Sequence, residues 1–198
     1  MSGNNKKVTE IATIDVAMVT IQEYGTDGTT PEGNILCITT DSKIDVAVES
    51  ETQDAVKLIV KGVLKAQKKK KVTVTGHTIK LTDNVFIPEV VKVLQGGTIK
   101  WEGEVGTSNI IGYTPPVAGS SEAGKKFQLC AYSAQYDTAG DIVQYEKITY
   151  PNCTGNPVAF STEDGTFRAP EYEIDSAPKL GQAPYDIDYV KALPVVGE

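Results

Sequence analysis

Asn84–Gly97, Asn-Val-Phe-Ile-Pro-Glu-Val-Val-Lys-Val-Leu-Gln-Gly-Gly, is the best-punctuated helix signal in the chain. Pro88 suits the first helical position, where its missing N–H would have no intrahelical partner anyway. Glu89 sets a negative charge on the positive end of the helix dipole. Val90, Val91, Val93 and Leu94 supply an apolar face, with Phe86 and Ile87 entering beside it. Gly96 and Gly97 accept the positive φ that closes a helix. The spacing predicts a helix over about residues 88–95. A helix of about two turns does not hold on its own in water, so it needs a surface to dock on. The rest of the chain reads as strand. The expected fold is therefore mainly β, a β-sandwich or partial barrel with a short flanking α-helix.

Outward toward the C-terminus, Thr98–Glu102 with Ile99 and Trp101 is a strand. Val105–Gly124 is rich in Gly, Ser and Pro around Tyr113-Thr114-Pro115-Pro116. A loop of that length in a compact domain reads as functional or as an interaction arm. Lys126–Asp137 and Asp141–Tyr150 alternate on either side of Asp137-Thr138-Ala139-Gly140 and form the clearest hairpin. Val158–Thr162 and Thr166–Ala169 suggest another around Glu163-Asp164-Gly165. Glu171–Ser176 and Tyr185–Tyr189 are the last strands.

Outward toward the N-terminus, Val72–Leu81 alternates cleanly. Residues 51–71 admit two readings. Val56, Ile59, Val60, Val63 and Leu64 sit at helical spacing with Lys57, Lys61 and Lys65 opposite. Leu58 breaks that face, Gly62 is a poor helix residue, and the β-branched content favours strand. Lys68–Lys71 reads either as a solvated turn or as a patch that meets an acidic surface on another copy. Ile35–Thr40 and Lys43–Glu49 are two strands joined at Asp41-Ser42, Gly25–Asn34 is a loop, and Val8–Tyr24 is a strand. Residues 1–7 are polar and expected to be loose. No repeat and no shift in composition marks a boundary, so residues 1–198 are expected to form a single domain with a flexible N-terminus and long loops.

The 198 residues carry a net charge of −7. Nucleic-acid binding of the general kind needs clustered positive charge and is disfavoured. At 40% hydrophobic and 23% charged residues, the composition is that of a globular chain. Cys37, Cys130 and Cys153 show no paired spacing and read as reduced, mostly buried thiols of a cytosolic compartment. No signal-peptide pattern follows Met1, and no run reaches the length of a membrane span. Asn152-Cys153-Thr154 matches a glycosylation sequon by chance.

No catalytic, cofactor or metal pattern emerges. The single histidine, His77, lies on a polar strand face and reads as an exposed or satisfied side chain. No GxSxG elbow gives it a nucleophile, and the cysteines lack zinc-site spacing. Asp186 with Asp188, and Glu171 with Glu173, share strand faces at i, i+2. Such pairs serve calcium binding or glycosidase chemistry, or form a solvated face. Tyr132, Tyr136, Tyr145 and Tyr150 lie in or beside one hairpin. They suit stacking on sugars, or strand pairing and subunit contacts.

The Gly-His-Thr-Ile-Lys-Leu-Thr-Asp-Asn strand (76–84), the Val-Phe-Ile-Pro-Glu-Val-Val-Lys-Val-Leu-Gln-Gly-Gly helix (85–97) and the Gly-Tyr-Thr-Pro-Pro loop (112–116) occur in succession. Phe-Gln-Leu-Cys-Ala-Tyr-Ser-Ala-Gln-Tyr-Asp (127–137) and Glu-Asp-Gly-Thr-Phe-Arg-Ala-Pro-Glu-Tyr (163–172) follow. This series, over roughly residues 72–192, resembles the tail tube (major tail) proteins of bacteriophages that infect Gram-positive bacteria, and the tubes of phage-derived tail-like particles. The resemblance implies a β-sandwich or partial barrel with a flanking helix, in hexameric rings that stack into a tube with inner strands pairing across subunits. It implies an arm reaching the adjacent ring, for which Gly106–Lys125 or Thr40–Lys71 fits. It implies a virion tail assembled in the host cytoplasm, with tail sheath, tape-measure and tail terminator or baseplate proteins as partners. DNA would pass through an acidic lumen without specific binding, since like charge repels the phosphate backbone.

Two other functions compete with this structural role. One is a monomeric β-sandwich module that grips carbohydrate through Tyr132, Tyr136 and Tyr145 on a host-recognition particle. The other is a hydrolase using Asp186 and Asp188. The structural reading is preferred, with no enzymatic activity, no cofactor and no metal.

Overall fold

The computed structural model describes residues 12–106, 108–119, 124–159, 163–165 and 168–195. The chain is mainly β, with antiparallel sheets and one short helix. The main sheet runs β2 (Pro31–Ile38), β1 (Thr13–Tyr24), β9 (Phe127–Tyr136), β10 (Ile142–Gly155), β11 (Glu171–Ser176), β6 (Lys71–Asp83), β3 (Asp41–Gln53). It becomes two layers because β10 changes partners along its length. Tyr145–Thr149 pair with β12 (Asp186–Val190), whereas Cys153–Gly155 pair with β11. The register against β9 shifts between Tyr150 and Cys153, and Asn152 takes φ 49°. Asparagine tolerates this left-handed conformation better than most residues, and a bulge bends the strand that carries it. The bend swings β11, β6 and β3 over β9 and β1.

Between the layers lie Val19, Ile21, Ile38, Ile79, Leu81, Phe127, Leu129, Tyr172 and Ile174, all at most 1% exposed. α1 (Pro88–Gln95) closes one end of this core by burying Val90, Val91, Val93 and Leu94, the face its sequence marks out. Phe86 and Ile87 pack beside it. Gly96 and Gly97 take φ of 82° and 86°, and the Gly96 N–H returns to the Lys92 carbonyl at 2.9 Å. The helix sits so close to β10 that a Cβ on Gly155 would stand 2.5 Å from Leu94 Cα. Its C-terminal end is held by Tyr113, whose hydroxyl donates to the Gly96 carbonyl at 2.6 Å while Gln95 Nε2 donates to that hydroxyl at 3.0 Å.

Several boundaries differ from the sequence expectation. Gly25–Asn34 is a shorter loop, because β2 starts at Pro31 and the Asp27 carboxylate organises the turn through the N–H groups and hydroxyls of Thr29 and Thr30. β2 and β3 follow one another but do not pair. β2 pairs with β1 and β3 with β6, in opposite layers. The stretch 105–124 is not one long loop. β8 (Ile110–Thr114) folds back on β7 (Thr98–Trp101) as a hairpin. Residues 1–7 and parts of the hairpin expected at 158–169 lie outside the described residues.

Candidate assembly surface

β3 and β6 are each 13 residues long, more than the body can cover. Their inner halves hold Ile79 and Leu81 in the core. Their outer halves leave the body as a two-stranded ribbon, pairing Ser50 with Val74 and Gln53 with Lys71. Residues 53–71 then continue into a second hairpin, β4 (Val56–Val60) and β5 (Val63–Lys68), so strand is the correct reading of 51–71. Lys61 and Gly62 take φ of 50° and 79°, the two successive positive values of a type I′ turn. Gly62, which weakened the helix reading, is a turn residue.

This arm has two unlike faces. Alternation places Ile44, Val46 and Val48 on one side of β3, opposite Leu81, Ile79 and His77; farther out Ser50 and Thr52 continue that side, and their cross-strand partners add Val74 and Val72. That face is continuous with the core at its inner end, and no described residue lies over its outer end, where Val48 is 62% exposed. The opposite face carries Asp45, Glu49, Glu51 and Lys80. At the tip, Val56, Leu58, Val60 and Val63 share one side of the hairpin, and Leu58 is 56% exposed. Contiguous exposed apolar residues of this extent mark an interaction surface in a soluble protein.

The arm is also the positive part of an acidic protein. Residues 50–74 hold seven lysines against Glu51 and Asp54, a net of +5, which leaves −12 on the remainder of a chain whose total is −7. Among the described residues none of these lysines forms an ion pair; Lys68 donates only to the Gln53 side chain at 3.3 Å. The Lys68–Lys71 run joins the tip hairpin to β6. Strand edges add to the surface. Among the described residues β2 has a partner on one side only, and so does β12, whose Ile187 and Tyr189 are exposed.

The other residues singled out by sequence are scattered. His77 is not exposed: it is 3% accessible, in edge contact with the rings of Tyr150 and Tyr185, and its Nδ1 has no hydrogen-bond partner. Burial pulls its pKa below the ordinary 6.5, against the pull of Glu49. The expectation of a polar face fails because His77 stands two residues from Ile79 and four from Leu81, on the side of β6 that faces the core, and two tyrosines lie over it. Cys130 and Cys153 are buried and Cys37 half-buried, all free. Burial pushes the Cys153 thiol up to about 12, which makes it unreactive.

No group of three or more His, Cys, Asp or Glu placed to hold a metal occurs among the described residues. Glu171 and Glu173 flank Lys80 at 3.7 and 3.4 Å, and Asp188 lies 3.8 Å from Lys147, all substantially exposed. Asp186 is likewise on the surface. The four tyrosines do not form one platform. Tyr150 belongs to the core between the layers, and Tyr132 is buried with Met18 and Cys130. Tyr136 is left exposed and Tyr145 half-buried. No described helix is long and apolar enough to cross a membrane.

No protein-family profile matches the sequence, and no curated protein does. Among solved structures the chain is similar to one in the cryo-EM structure of the anti-feeding prophage (AFP) baseplate, 6-fold symmetrised, with 8% identity over 94% of this chain and 97% of that one and a TM-score of 0.37. A likeness of that degree establishes neither fold nor function.

Proposed function

We propose that this protein is a structural subunit of a phage or phage-derived tail particle, a tail tube protein that stacks as hexameric rings. The observation that carries the reading is the arm, a ribbon with an apolar face that is continuous with the core and that no described residue covers. Of the two segments that fit an inter-ring arm, Thr40–Lys71 is the better. The other, Gly106–Lys125, contains β8, and its Tyr113 is occupied in tying down the helix.

Self-association gives the arm a partner of suitable charge, since the lysine-rich tip meets a body of opposite sign. A heterologous contact of this kind repeats along an axis without closing and produces a tube. Free strand edges that are a liability in a monomer are used when neighbours complete the sheet. The acidic body suits a lumen through which DNA slides without being held. Sheath, tape-measure, terminator and baseplate proteins are the partners this role requires, the virion tail is its location, and it needs no catalysis and no cofactor. The carbohydrate-binding alternative loses Tyr132 to the interior.

Negative-stain electron microscopy with light scattering tests the reading. Rings or tubes on the order of 10 nm across, with a central channel, are the expected result for a cyclic assembly of such subunits. Replacing residues 54–70 with a tight turn is expected to leave a folded monomer. A full-length protein that stays monomeric at high concentration, even with a tail initiator complex added, would sink the proposal.

A further inference from the structure

The first rung of the arm is a pair of acids. Asp41 opens β3, Asp83 closes β6, and the two are cross-strand partners at the end of the ribbon that enters the body. Asp83 is 0% exposed. Its Oδ1 is fully used, accepting the Thr40 hydroxyl at 2.5 Å and the Val85 N–H at 3.2 Å. Its Oδ2 is buried with no partner. Both oxygens of Asp41 are buried too, and among the described residues only the Val19 N–H from β1 comes near enough to favour the charged form of that carboxyl. Three carboxylate oxygens thus face the interior with one backbone N–H near them and no cation, an arrangement that two full negative charges would make very costly.

We propose that Asp41 and Asp83 share one proton, with the Asp41 carboxyl donating to Asp83 Oδ2, and that this hydrogen bond ties down the root of the arm. The assignment of roles follows from the neighbours. Asp83 Oδ1 already accepts from two donors, so its free acceptor toward the pair is Oδ2 and the shared proton is placed on Asp41. Burial, with Asp83 close by, pushes the Asp41 carboxyl up to about 7. Of the other groups facing the pair, Tyr172 from β11 is fully buried, its hydroxyl raised to about 12 by burial against the pull of the Ile87 backbone, and it stays neutral. Lys43, next along β3, is engaged by Asp45 at 2.5 Å, and Asp15 from β1 borders the same cleft beside Asp41 but is exposed. No cation among the described residues is paired with either acid.

The sign of the pH dependence follows. Asp41 holds a proton in the folded chain over a range where it has lost it in the unfolded one. Its contribution is therefore greatest below about 4, falls as pH rises, and is gone above about 7. Above that range two charges occupy one buried rung, and the strands that carry the arm loosen where they leave the body.

The test is thermal unfolding of the full chain between pH 5 and 9, for wild type, Asp41→Asn and Asp83→Asn, with hydrogen exchange of the amides at 41–45 and 80–85. Asparagine at 41 supplies a permanent N–H donor to Asp83 Oδ2. Its melting temperature should exceed that of wild type at pH 8, and the difference between them should narrow steadily towards pH 5. Asp83→Asn removes the like charge and should move the step to lower pH. Exchange at the root should rise with pH in wild type only. An Asp41→Asn protein less stable than wild type at pH 8 overturns the proposal. So does stabilisation of wild type by calcium or magnesium chloride that the variant lacks, since the pair would then hold a cation. The effect on assembly rests on the arm reading above. A stability step without a matching drop in tube yield would leave the shared proton standing and count against the arm.

Discussion

The body and the arm are made of similar residues and obey different rules. Val90, Val91 and Leu94 lie at 1% exposure or less, while Val48, Leu58 and Ile59 exceed half. Both sets are β-branched or aliphatic, and both follow the period of the element that holds them. The difference is what lies opposite. α1 has a two-layer sheet beneath it, and the arm has solvent. Apolar residues in the body are thus explained by folding among the described residues, and those in the arm are not; the proposed assembly supplies the surface they lack.

Substitutions can break or sharpen that contrast. Leu94→Ala removes a fully buried side chain over Gly155 and should cost about 2–5 kcal/mol, read as a lower midpoint in urea. Gly97→Ala should cost about 1–3 kcal/mol, because Gly97 holds φ 86° and an added Cβ would overlap the Thr114 carbonyl. Thermal unfolding would show it as a drop in melting temperature without loss of the β-sheet spectrum.

His77 supplies a pH test of the body. Its pKa is depressed by burial, so the unfolded chain takes up the proton first as pH falls below the ordinary 6.5. Its contribution to stability is intact above that value and declines below it. His77→Phe should flatten that decline, measured by denaturant titration at pH 7.5 and 5.5. An unchanged slope would mean that the ring is solvated. The smallest effect on the monomer is expected in the arm. Leu58→Ser should change unfolding free energy by less than about 0.5 kcal/mol, yet reduce tube yield in electron micrographs. Equal losses of stability for Leu58→Ser and Leu94→Ala would erase the distinction between the two regions.

The legible parts of the fold were those with local causes. Pro88, the four apolar residues and the glycine pair define α1 to the residue, because helix signals lie within one or two turns of what they control. The hairpin of β9 and β10 was visible for the same reason. The candidate surface was half legible. The lysine run and the apolar residues of 51–71 were evident, but their periodicity fitted helix and strand alike, and only the turn at Lys61-Gly62 separates the two.

What sequence did not show is long-range. Nothing local to Ile35–Glu49 says that β2 and β3 enter opposite layers, which is set by their partners β1 and β6. Alternation with Ile79 and Leu81 puts His77 on the inner face of β6, but nothing local to that strand said that Tyr150 and Tyr185, residues more than 70 positions away, would cover it, or that Asp41 would meet Asp83 across a rung. The sequence by itself determined that the chain is β-rich, acidic and closed by one short helix, because period, charge and caps are properties of neighbouring residues. Tertiary structure decided which apolar faces are buried and which stand in solvent, because burial belongs to a pair of surfaces and the second surface comes from elsewhere in the chain.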